Sequence, residues 1–355
     1  MALSLAACTS GETKKSSDTK SSTKKSDNKK IGVAMPTKDL QRWTQDGENM
    51  KKELEKAGYT VDLQFANNDI ATQVSQLENM ISGKCAMLVV ASIDGTALSE
   101  VLDKAKAADI PVISYDRLIM NTDAVSYYAT FDNQKVGEMQ GKFIEEKLDL
   151  KNQAGPFNIE LFTGSSDDNN CNFFFGGAMS VLEPYIKEGK LVVQSKTEPT
   201  LAACATPNWS TEESQKRMEN IVTKSYSGDM KLDAVLSSND SVANGITNAL
   251  SAAGYTADNF PVLTGQDCDI TSVQNIVKGT QSMSIFKDTR ELASKVVEMV
   301  DALMKGEEPE VNDTETYDNG TGVIPTYLCD PVVVTKDNYK ETLVDSGYYT
   351  EDQLN

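Results

Sequence analysis

The amino-acid sequence predicts an α/β fold with two Rossmann-like, doubly wound lobes, each built on a parallel sheet. Its 355 residues exceed what one hydrophobic core usually supports, which is about 250–300 residues. From Ile31 onward, short and almost wholly apolar runs alternate with stretches that carry apolar residues three or four positions apart. Apolar strands separated by helices are typical of parallel sheets covered on both faces. The runs form two series, which predicts two lobes.

Ten apolar, β-branched runs are predicted to be strands, five in each series. The first series is 31–35, 61–66, 87–92, 111–116 and 125–132, and the second is 157–163, 191–195, 234–238, 261–265 and 283–286. The stretches between them are predicted to be amphipathic helices, as the spacing of Val74, Leu77 and Ile81 indicates. Glycine follows several of these stretches, for example at Gly58 and Gly254, where it favours helix termination.

The composition argues against several classes of function. The chain has 53 acidic and 34 basic residues and a net charge of −19, so its surface repels phosphate backbones and nucleic-acid binding is not expected. It contains no histidine, which removes Ser-His-Asp and Cys-His nucleophiles, imidazole metal ligands and histidine general bases. The sequence has no phosphate-binding loop and no cluster with metal-ligand spacing. We therefore expect no cofactor, no metal and no catalytic residue.

Residues 1–30 are expected to lie outside the folded lobes. Leu5-Ala6-Ala7-Cys8 resembles the end of a bacterial lipoprotein signal, in a truncated form, and this resemblance implies that Cys8 is lipidated. Residues 9–30 are rich in Ser and Lys and contain no aromatic residue, which predicts a disordered tether. The alternative is a chance cysteine in a disordered start. No later segment has eighteen uninterrupted apolar residues, as a membrane-spanning helix would.

The cysteines predict neither a disulfide framework nor a zinc site. The six positions are 8, 85, 171, 204, 268 and 329, and they contain no CxxC pair. Five remain when Cys8 is set aside, which is an odd number. We expect buried free thiols, and a single Cys171–Cys204 bridge stays an alternative.

Polar, charged and aromatic side chains follow most of the predicted strands. Ligands of open parallel sheets bind beyond the carboxyl ends of the strands, where the loops leave a crevice. The residues at these ends are Arg42, Trp43, Asp94, Asp116, Arg117, Asp168, Asn170, Asn239, Asp267 and Lys287. Taken singly, Asp94, Asp240 or Asp269 suits a helix N-cap, and Asp116 with Arg117 suits a surface ion pair. Capping does not explain Arg, Lys and Trp at the same strand ends, so together they favour a binding site.

These side chains suit the hydroxyl groups of a sugar. Carboxylates accept hydrogen bonds from hydroxyls, Arg and Lys donate to them, and Asn does both. A tryptophan or an aromatic residue at 173–175 would cover the apolar C–H face of a pyranose. The three cations and three acids of the predicted site balance in charge, which favours a neutral ligand over an anionic one.

The same residues form motifs that resemble a known family. Arg42-Trp43, Tyr115-Asp116-Arg117, Asp168-Asn169-Asn170, Gly265-Gln266-Asp267 and Ile285-Phe286-Lys287 follow the order found in type I periplasmic sugar-binding proteins of the ribose, galactose and xylose kind, in particular the ChvE-type multiple monosaccharide receptors. The resemblance covers about residues 31–355. It implies a type I fold with a hinge of three segments and two groups of sugar contacts. Ring hydroxyls would be held by Arg42, Asp116, Arg117, Asp168, Asn170, Asn239, Asp267 and Lys287, while Trp43 and Trp209 would lie near the sugar.

The chain is expected to pass between the lobes more than once. We expect a first lobe of residues 31–132 with about 268–314, and a second lobe of 133–267 with about 315–355. A change of strand series after Asp132 and polar segments near Asp267 and Asp313 are the basis for these boundaries.

The resemblance implies a non-catalytic, lipid-anchored extracytoplasmic or periplasmic receptor. Its ligand would be a neutral aldose such as xylose, arabinose, galactose or glucose, delivered to the membrane subunits of an ABC importer. A membrane sensor is a further implied partner, and the chain is expected to be a monomer. The alternatives are a sugar-responsive regulator of the same fold without its DNA-binding domain, and a carboxylate-based carbohydrate enzyme. The second is disfavoured because the adjacent Asp167 and Asp168 cannot flank a bond at the separation of about 5–9.5 Å that such chemistry needs.

Overall fold

The computed structural model describes residues 29–228 and 230–354. The expectations for Cys8 and for most of the tether therefore lie outside the described residues. The first elements in chain order are β1 (Lys30–Met35), α1 (Gln41–Lys56), β2 (Thr60–Phe65), α2 (Ile70–Ser82), β3 (Met87–Val90), α3 (Ser99–Ala107), β4 (Val112–Tyr115) and β5 (Val125–Phe131).

The middle of the chain alternates strands and helices in the same way. Its elements are α4 (Asn133–Lys147), β6 (Phe157–Phe162), α5 (Asn170–Lys187), β7 (Leu191–Val193), α6 (Leu201–Cys204), a 3-10 turn (Pro207–Trp209), α7 (Thr211–Ser225), β8 (Ala234–Ser237), α8 (Asp240–Ala252), β9 (Val262–Leu263), α9 (Ile270–Lys278) and β10 (Ser284–Phe286). The last elements are α10 (Thr289–Lys305), β11 (Thr326–Cys329), β12 (Val332–Val334), a π-helix (Lys340–Asp345) and α11 (Glu351–Leu354).

The strands form two separate parallel sheets, so the predicted fold class is confirmed. The first sheet has the order β11-β5-β4-β3-β1-β2, and the second has the order β7-β6-β8-β9. β10 and β12 form an antiparallel pair, which a bridge between Gln266 and Ile285 places next to the second sheet. All ten predicted strands are present, most of them one to three residues shorter than expected. The sequence analysis missed β11 and β12, each only three or four residues long.

Both sheets are buried on both faces, as the apolar strands predicted. In β1, Val33 and Met35 pack into one core cluster of the first lobe, while Ala34 packs into another on the opposite face. The second lobe has the same arrangement, since Leu161 and Phe162 of β6 belong to different clusters. Alternate residues of one strand therefore serve two layers of helices, which fixes the strand register.

The chain passes between the lobes three times, at places that differ from two of the expected boundaries. The passages lie between β5 and α4, between β10 and α10, and between β11 and β12. Met283 and Ile285 pack in the second lobe, although residues 268–286 were expected in the first. β11 pairs with β5 in the first sheet, although residues 315–329 were expected in the second lobe. The polar segments near Asp267 and Asp313 are loops that turn back into their own lobe.

The cysteines of the described part are free and buried. Cys85, Cys171, Cys204, Cys268 and Cys329 form no disulfide with one another, so the Cys171–Cys204 bridge is absent and the expectation of buried thiols is confirmed. Across residues 29–228 and 230–354, no helix has both the length and the apolar character that a membrane span requires.

Glycines let α4 and α5 approach to backbone contact. A Cβ atom on Gly137 would lie 2.0 Å from the carbonyl oxygen of Phe174, and one on Gly177 would lie 2.3 Å from the carbonyl oxygen of Gln134. No side chain fits at such distances, so this helix pair depends on glycine at both positions. The contact matters for the site because α5 begins with Asn170, at the edge of the cleft between the lobes.

Two neighbouring glycines of α5 provide a matched test of this packing. We expect Gly177→Ala to lower the free energy of unfolding by about 1–3 kcal/mol, because the new methyl group forces the helices apart. Gly176→Ala is the control: its Cβ would lie 4.0 Å from the nearest neighbour, and alanine favours the helix by up to about 1 kcal/mol. Urea denaturation measures both variants, and equal stability of the two would contradict the packing argument.

Candidate functional site

A cavity lies between the two lobes, at the carboxyl ends of the strands. It is partly open to solvent, and the space between its walls is about 420 Å³. The ten residues that the family resemblance placed at or near the sugar all line it: Arg42, Trp43, Asp116, Arg117, Asp168, Asn170, Trp209, Asn239, Asp267 and Lys287. Asp94, the remaining strand-end candidate, lies outside it and accepts from the backbone N–H of Thr96. The remaining lining residues are Leu40, Phe174, Ser241, Gln266 and Asp269. The sequence therefore located this cavity, while the role of each residue in binding stays a prediction.

The guanidinium group of Arg42, in the first turn of α1, joins three carboxylates. Its Nη2 donates to Oδ2 of Asp116 at 2.7 Å and its Nη1 donates to Oδ1 of Asp267 at 2.9 Å. Its Nε donates to Asp46, one helical turn further along α1. Asp116 follows β4 in the first lobe and Asp267 follows β9 in the second. Arg42 is therefore an ionic link between the lobes inside the cavity wall.

Charge around Arg42 is almost completely paired and buried. Nζ of Lys287 lies 2.9 Å from Oδ1 of Asp267, and all these side chains are at most 10 % exposed. Burial alone would lower the pKa of Arg42, but the three carboxylates outweigh it and raise that pKa well above its usual value. Burial would raise the pKa of Asp116, but Arg42, Lys287 and Arg117 lower it overall. Both groups are thus charged at physiological pH.

A second ionic link joins the lobes through Arg117. Its Nε lies 2.8 Å from Oδ2 of Asp168, which precedes α5 in the second lobe. Nη1 of Arg117 donates to the carbonyl oxygens of Ser92 and Ile93 at 3.0 and 3.1 Å. The indole ring of Trp43 lies 4.9 Å from the guanidinium carbon, a cation–π distance that fixes the arginine plane.

Two asparagines of the second lobe make different structural contacts. Nδ2 of Asn170 donates to the carbonyl oxygen of Asp116 at 2.7 Å, and its Oδ1 lies 3.1 Å from the Tyr128 hydroxyl, which donates its hydrogen to the same carbonyl at 2.6 Å. Asn170 therefore connects the lobes directly. Oδ1 of Asn239 accepts from the backbone N–H of Val242 and caps α8, which leaves its amide N–H₂ for the cavity.

Trp209 and Phe174 form the aromatic wall of the cavity. Their rings meet edge to face with centroids 6.3 Å apart. A Cβ on Gly164, just after β6, would lie 2.2 Å from the Trp209 ring, so only glycine accommodates the indole there. Of the aromatic residues at 173–175 that we considered, Phe174 alone reaches the cavity: Phe173 packs on Tyr317, and Phe175 lies in a core cluster of the second lobe.

Three site residues have strained backbones. Asp116, Trp209 and Asp267 have φ angles of 58°, 55° and 95°, in the left-handed region that residues other than glycine rarely adopt. The carbonyl oxygen of Asp116 accepts from Tyr128, Thr130 and Asn170, three hydrogen bonds that hold this conformation. Such strain concentrates at ligand sites, where the surrounding structure keeps a side chain in one orientation.

Several buried polar atoms of the cavity residues are unsatisfied. Nε1 of Trp209, Oε1 of Gln266 and Oδ1 of Asp269 have no hydrogen-bond partner within residues 29–228 and 230–354. Buried polar atoms are almost always paired in folded proteins, because an unpaired one costs about 1–3 kcal/mol. A donor and two acceptors at one cavity indicate a ligand that both accepts and donates hydrogen bonds.

The chain matches the periplasmic binding protein domain family over residues 31–308. It belongs to this family. The multiple sugar-binding periplasmic receptor ChvE of Rhizobium radiobacter is 52 % identical over 326 residues, which cover 91 % of this chain and 92 % of that receptor. The D-xylose-binding periplasmic protein of Escherichia coli is 37 % identical and covers 92 % of both chains.

A solved relative shares nearly the whole structure. It is an ABC transporter solute-binding protein from Clostridium phytofermentans with bound β-D-glucose. It is 61 % identical and superposes with a TM-score of 0.90, covering 92 % of this chain and 100 % of its own. The two-lobed architecture and the family resemblance expected from the sequence are thus confirmed for this periplasmic binding protein.

Sequence reasoning missed two acids of this periplasmic binding protein. Asp269 was considered as a helix cap, but its side chain makes no capping hydrogen bond and instead faces the cavity. Asp46 lies beneath Arg42, and its spacing of four residues along α1 was the signal that could have revealed it. The sequence analysis counted three cations and three acids at the site, whereas the structure has three cations and five acids. Among the described residues, no cluster of three or more Cys, Asp or Glu is arranged to hold a metal ion.

Both missed acids have raised pKa values. Burial raises the pKa of Asp46 to about 6, even though Arg42 opposes the shift. Burial and the neighbouring Asp267 raise the pKa of Asp269 to about 7. At neutral pH both carboxyls are therefore partly protonated. The net negative charge of the site is smaller than five ionised acids against three cations would give.

The raised pKa of Asp269 predicts an unusual dependence of stability on pH. In the unfolded chain an aspartate has a pKa of about 3.9, so between about pH 4 and 7 the folded protein binds the extra proton. Stability then falls as pH rises through this window. We expect wild-type protein to lose stability relative to Asp269→Asn between pH 5 and pH 8, measured by urea denaturation. A stability difference that stays constant over this range would contradict the assignment.

Proposed function

We propose that this protein is an extracytoplasmic solute-binding protein that captures a neutral monosaccharide between its lobes and delivers it to an ABC importer. The observation that carries the proposal is the cavity between the lobes, in which charged hydrogen-bonding groups from both lobes converge beside an aromatic wall. Glucose bound to the 61 % identical relative supports an aldose as the ligand. The multiple sugar-binding receptor ChvE and the xylose-binding protein support pentoses and hexoses as the range to test.

The paired charges of the cavity suit a neutral polyol. Each carboxylate of Asp116, Asp168 and Asp267 is already held by a cation and still has lone pairs for a hydroxyl hydrogen. Hydrogen bonds to charged partners contribute about 1.5–3 kcal/mol, more than neutral ones. Discrimination between epimers is assigned to the unpaired Nε1 of Trp209 and Oε1 of Gln266, because a hydroxyl of the wrong configuration leaves such a buried atom unsatisfied.

Closure about the three-segment hinge is the proposed mechanism. A ligand shifts the balance between open and closed forms only through its different affinity for the two. Contacts from Arg42 and Trp43 of the first lobe and Asp168 and Trp209 of the second are available together only in the closed form. Binding energy from both walls therefore drives closure, and the closed form is the one that the permease recognises.

We also infer that the protein binds its sugar without changing it. The relatives named above are receptors or binding proteins. In this cavity, Arg42 helps to lower the pKa of Asp116, which keeps that carboxylate ionised as a hydrogen-bond acceptor and does not suit a proton donor. Recovery of unaltered aldose after prolonged incubation tests this inference, and any product would contradict it.

Location and partners follow from the same proposal. We propose an extracytoplasmic location, anchored to the outer face of the cytoplasmic membrane through lipidated Cys8, with residues 9–30 as the tether. The net charge of −19 supports docking of the monomer onto basic surfaces of the permease or of a membrane sensor.

A thermal-shift panel of aldoses tests sugar binding, with Asp267→Asn as the site variant. We expect at least one pentose or hexose to raise the melting temperature of the wild type. Asp267→Asn removes the ion pairs with Arg42 and Lys287 and should weaken binding of that sugar by about 100-fold or more. Asp123→Asn, at an exposed ion pair with Lys106, is the control and should bind as the wild type does. Unchanged affinity in Asp267→Asn would show that the site is misplaced.

The anchor has a separate test. Expression of the natural gene in its own host should place the wild type in the membrane fraction. Cys8→Ser should move the protein out of that fraction without changing the sugar affinity of the folded part. Membrane association that survives Cys8→Ser would refute lipidation at this position.

A further inference from the structure

The C-terminal tail, residues 335–354, packs on the second lobe and reaches toward the first. Leu343 and Leu354 lie in one core cluster with Val273 of α9 and Val334 of β12. Nε2 of Gln274 donates to the carbonyl oxygen of Gln353 at 3.1 Å. The tail is therefore fixed to the second lobe by buried apolar contacts, while the hydroxyl of Tyr349 reaches α1 of the first lobe.

The hydroxyl of Tyr349 makes every hydrogen bond that a phenol can make. It accepts from Nε2 of Gln41 at 2.6 Å and from Nε2 of Gln45 at 3.1 Å. It donates to the carbonyl oxygen of Cys268 at 2.9 Å. One donated and two accepted hydrogen bonds are the full capacity of this group. The tyrosine is buried, so these bonds are shielded from competing water.

The partners of Tyr349 belong to the two lobes and adjoin the ligand cavity. Gln41 and Gln45 lie in the first two turns of α1, and Gln41 precedes Arg42. Cys268 lies between Asp267 and Asp269, in the loop after β9. Oε1 of Gln41 also accepts from the backbone N–H of Ile270 at 3.2 Å. One phenol thus connects the element that carries Arg42 with the loop that carries its partner Asp267.

That loop needs support to keep its shape. Asp267 and Cys268 have consecutive positive φ angles of 95° and 53°. The hydrogen bond from the Tyr349 hydroxyl fixes the carbonyl group of Cys268. Freed from it, the Cys268 peptide could rotate and change the direction of both flanking carboxylates.

We propose that Tyr349 is a positioning residue that latches the lobes in the closed form and so slows release of the ligand. Its hydroxyl is fixed to the second lobe by the tail and reaches α1 only when the lobes are together. The latch touches no ligand and acts through Gln41 and the Cys268 carbonyl. It rests on the proposed function, because its main consequence is the lifetime of the sugar complex.

Tyr349→Phe removes the hydroxyl and keeps the ring. Loss of these cross-lobe hydrogen bonds should raise the dissociation constant of the best aldose roughly tenfold. The increase should appear in the dissociation rate, with the association rate within twofold, because the bonds form only after closure. Stopped-flow tryptophan fluorescence separates the two rates. Small-angle scattering of the sugar-free variant should show a larger radius of gyration than that of the wild type.

Tyr339→Phe is the matched control in the same tail. The hydroxyl of Tyr339 has no hydrogen bond to any other described residue, so this variant should match the wild type in both rates and in scattering. Gln41→Leu should reproduce the faster dissociation, and combining it with Tyr349→Phe should cost less than the sum of the two.

Two outcomes would overturn the latch. One is an unchanged dissociation rate and radius of gyration in Tyr349→Phe, even if its melting temperature falls, since the tyrosine would then be only structural. The other is equal acceleration by Tyr339→Phe. If the wild type binds no aldose, the proposed function fails, whereas the comparison of sugar-free scattering still decides whether Tyr349 holds the lobes together.

Discussion

The site depends on one buried interaction, the Arg42 guanidinium shared among Asp46, Asp116 and Asp267. Taking four charges out of water is costly, and the attraction between them offsets this cost only when every hydrogen bond is made. Arg42 meets this condition, since Nε, Nη1 and Nη2 each donate to a different carboxylate. Removing one partner from such a cluster typically costs about 3–5 kcal/mol, because the others stay buried and charged. The lobes therefore come together in the one arrangement that places Asp267 beside Arg42, with Lys287 completing the pairing.

The rest of the architecture delivers these groups to one place. Parallel strands bring their carboxyl ends to one edge of each sheet, so Asp116 and Asp267 emerge from different sheets and still face each other. Left-handed backbone at both residues turns their side chains into the cleft, and dense hydrogen bonding around the Asp116 carbonyl holds that turn. Close packing of α4 on α5, which depends on Gly177, sets the position of Asn170. Precision at the site thus rests on backbone contacts far from it.

Features that depend on residue type and on position after a strand could be predicted from the sequence. Features that depend on contacts between residues distant in the chain could not. Ten strands followed from apolar runs, and nine cavity residues followed from the side chains after those runs, while Trp209 came from the family resemblance. The role of Asp269 could not be read in this way, because an acid just before a helix looks the same whether it caps the helix or faces a cavity. β11, four residues between Pro325 and Pro331, and β12, three residues after Pro331, were missed because such short runs carry almost no periodicity. The lobe assignment of residues 268–286 failed because it depends on the pairing of Ile285 with the loop after β9, a long-range contact.

Selectivity for a sugar then depends on the few polar groups that the protein does not pair with itself. Charged groups that already satisfy each other, such as Arg42 and Asp116, add strength to any hydroxyl that contacts them but do little to define which hydroxyl it is. The unpaired atoms of Trp209, Gln266 and Asp269 are different, because burial of each is unfavourable unless a ligand atom forms a hydrogen bond with it. Asp269 has a further property: with a pKa near neutrality it accepts a hydrogen bond when ionised and donates one when protonated. The paired charges therefore determine how tightly the lobes close, and the unpaired atoms determine on which sugar they close.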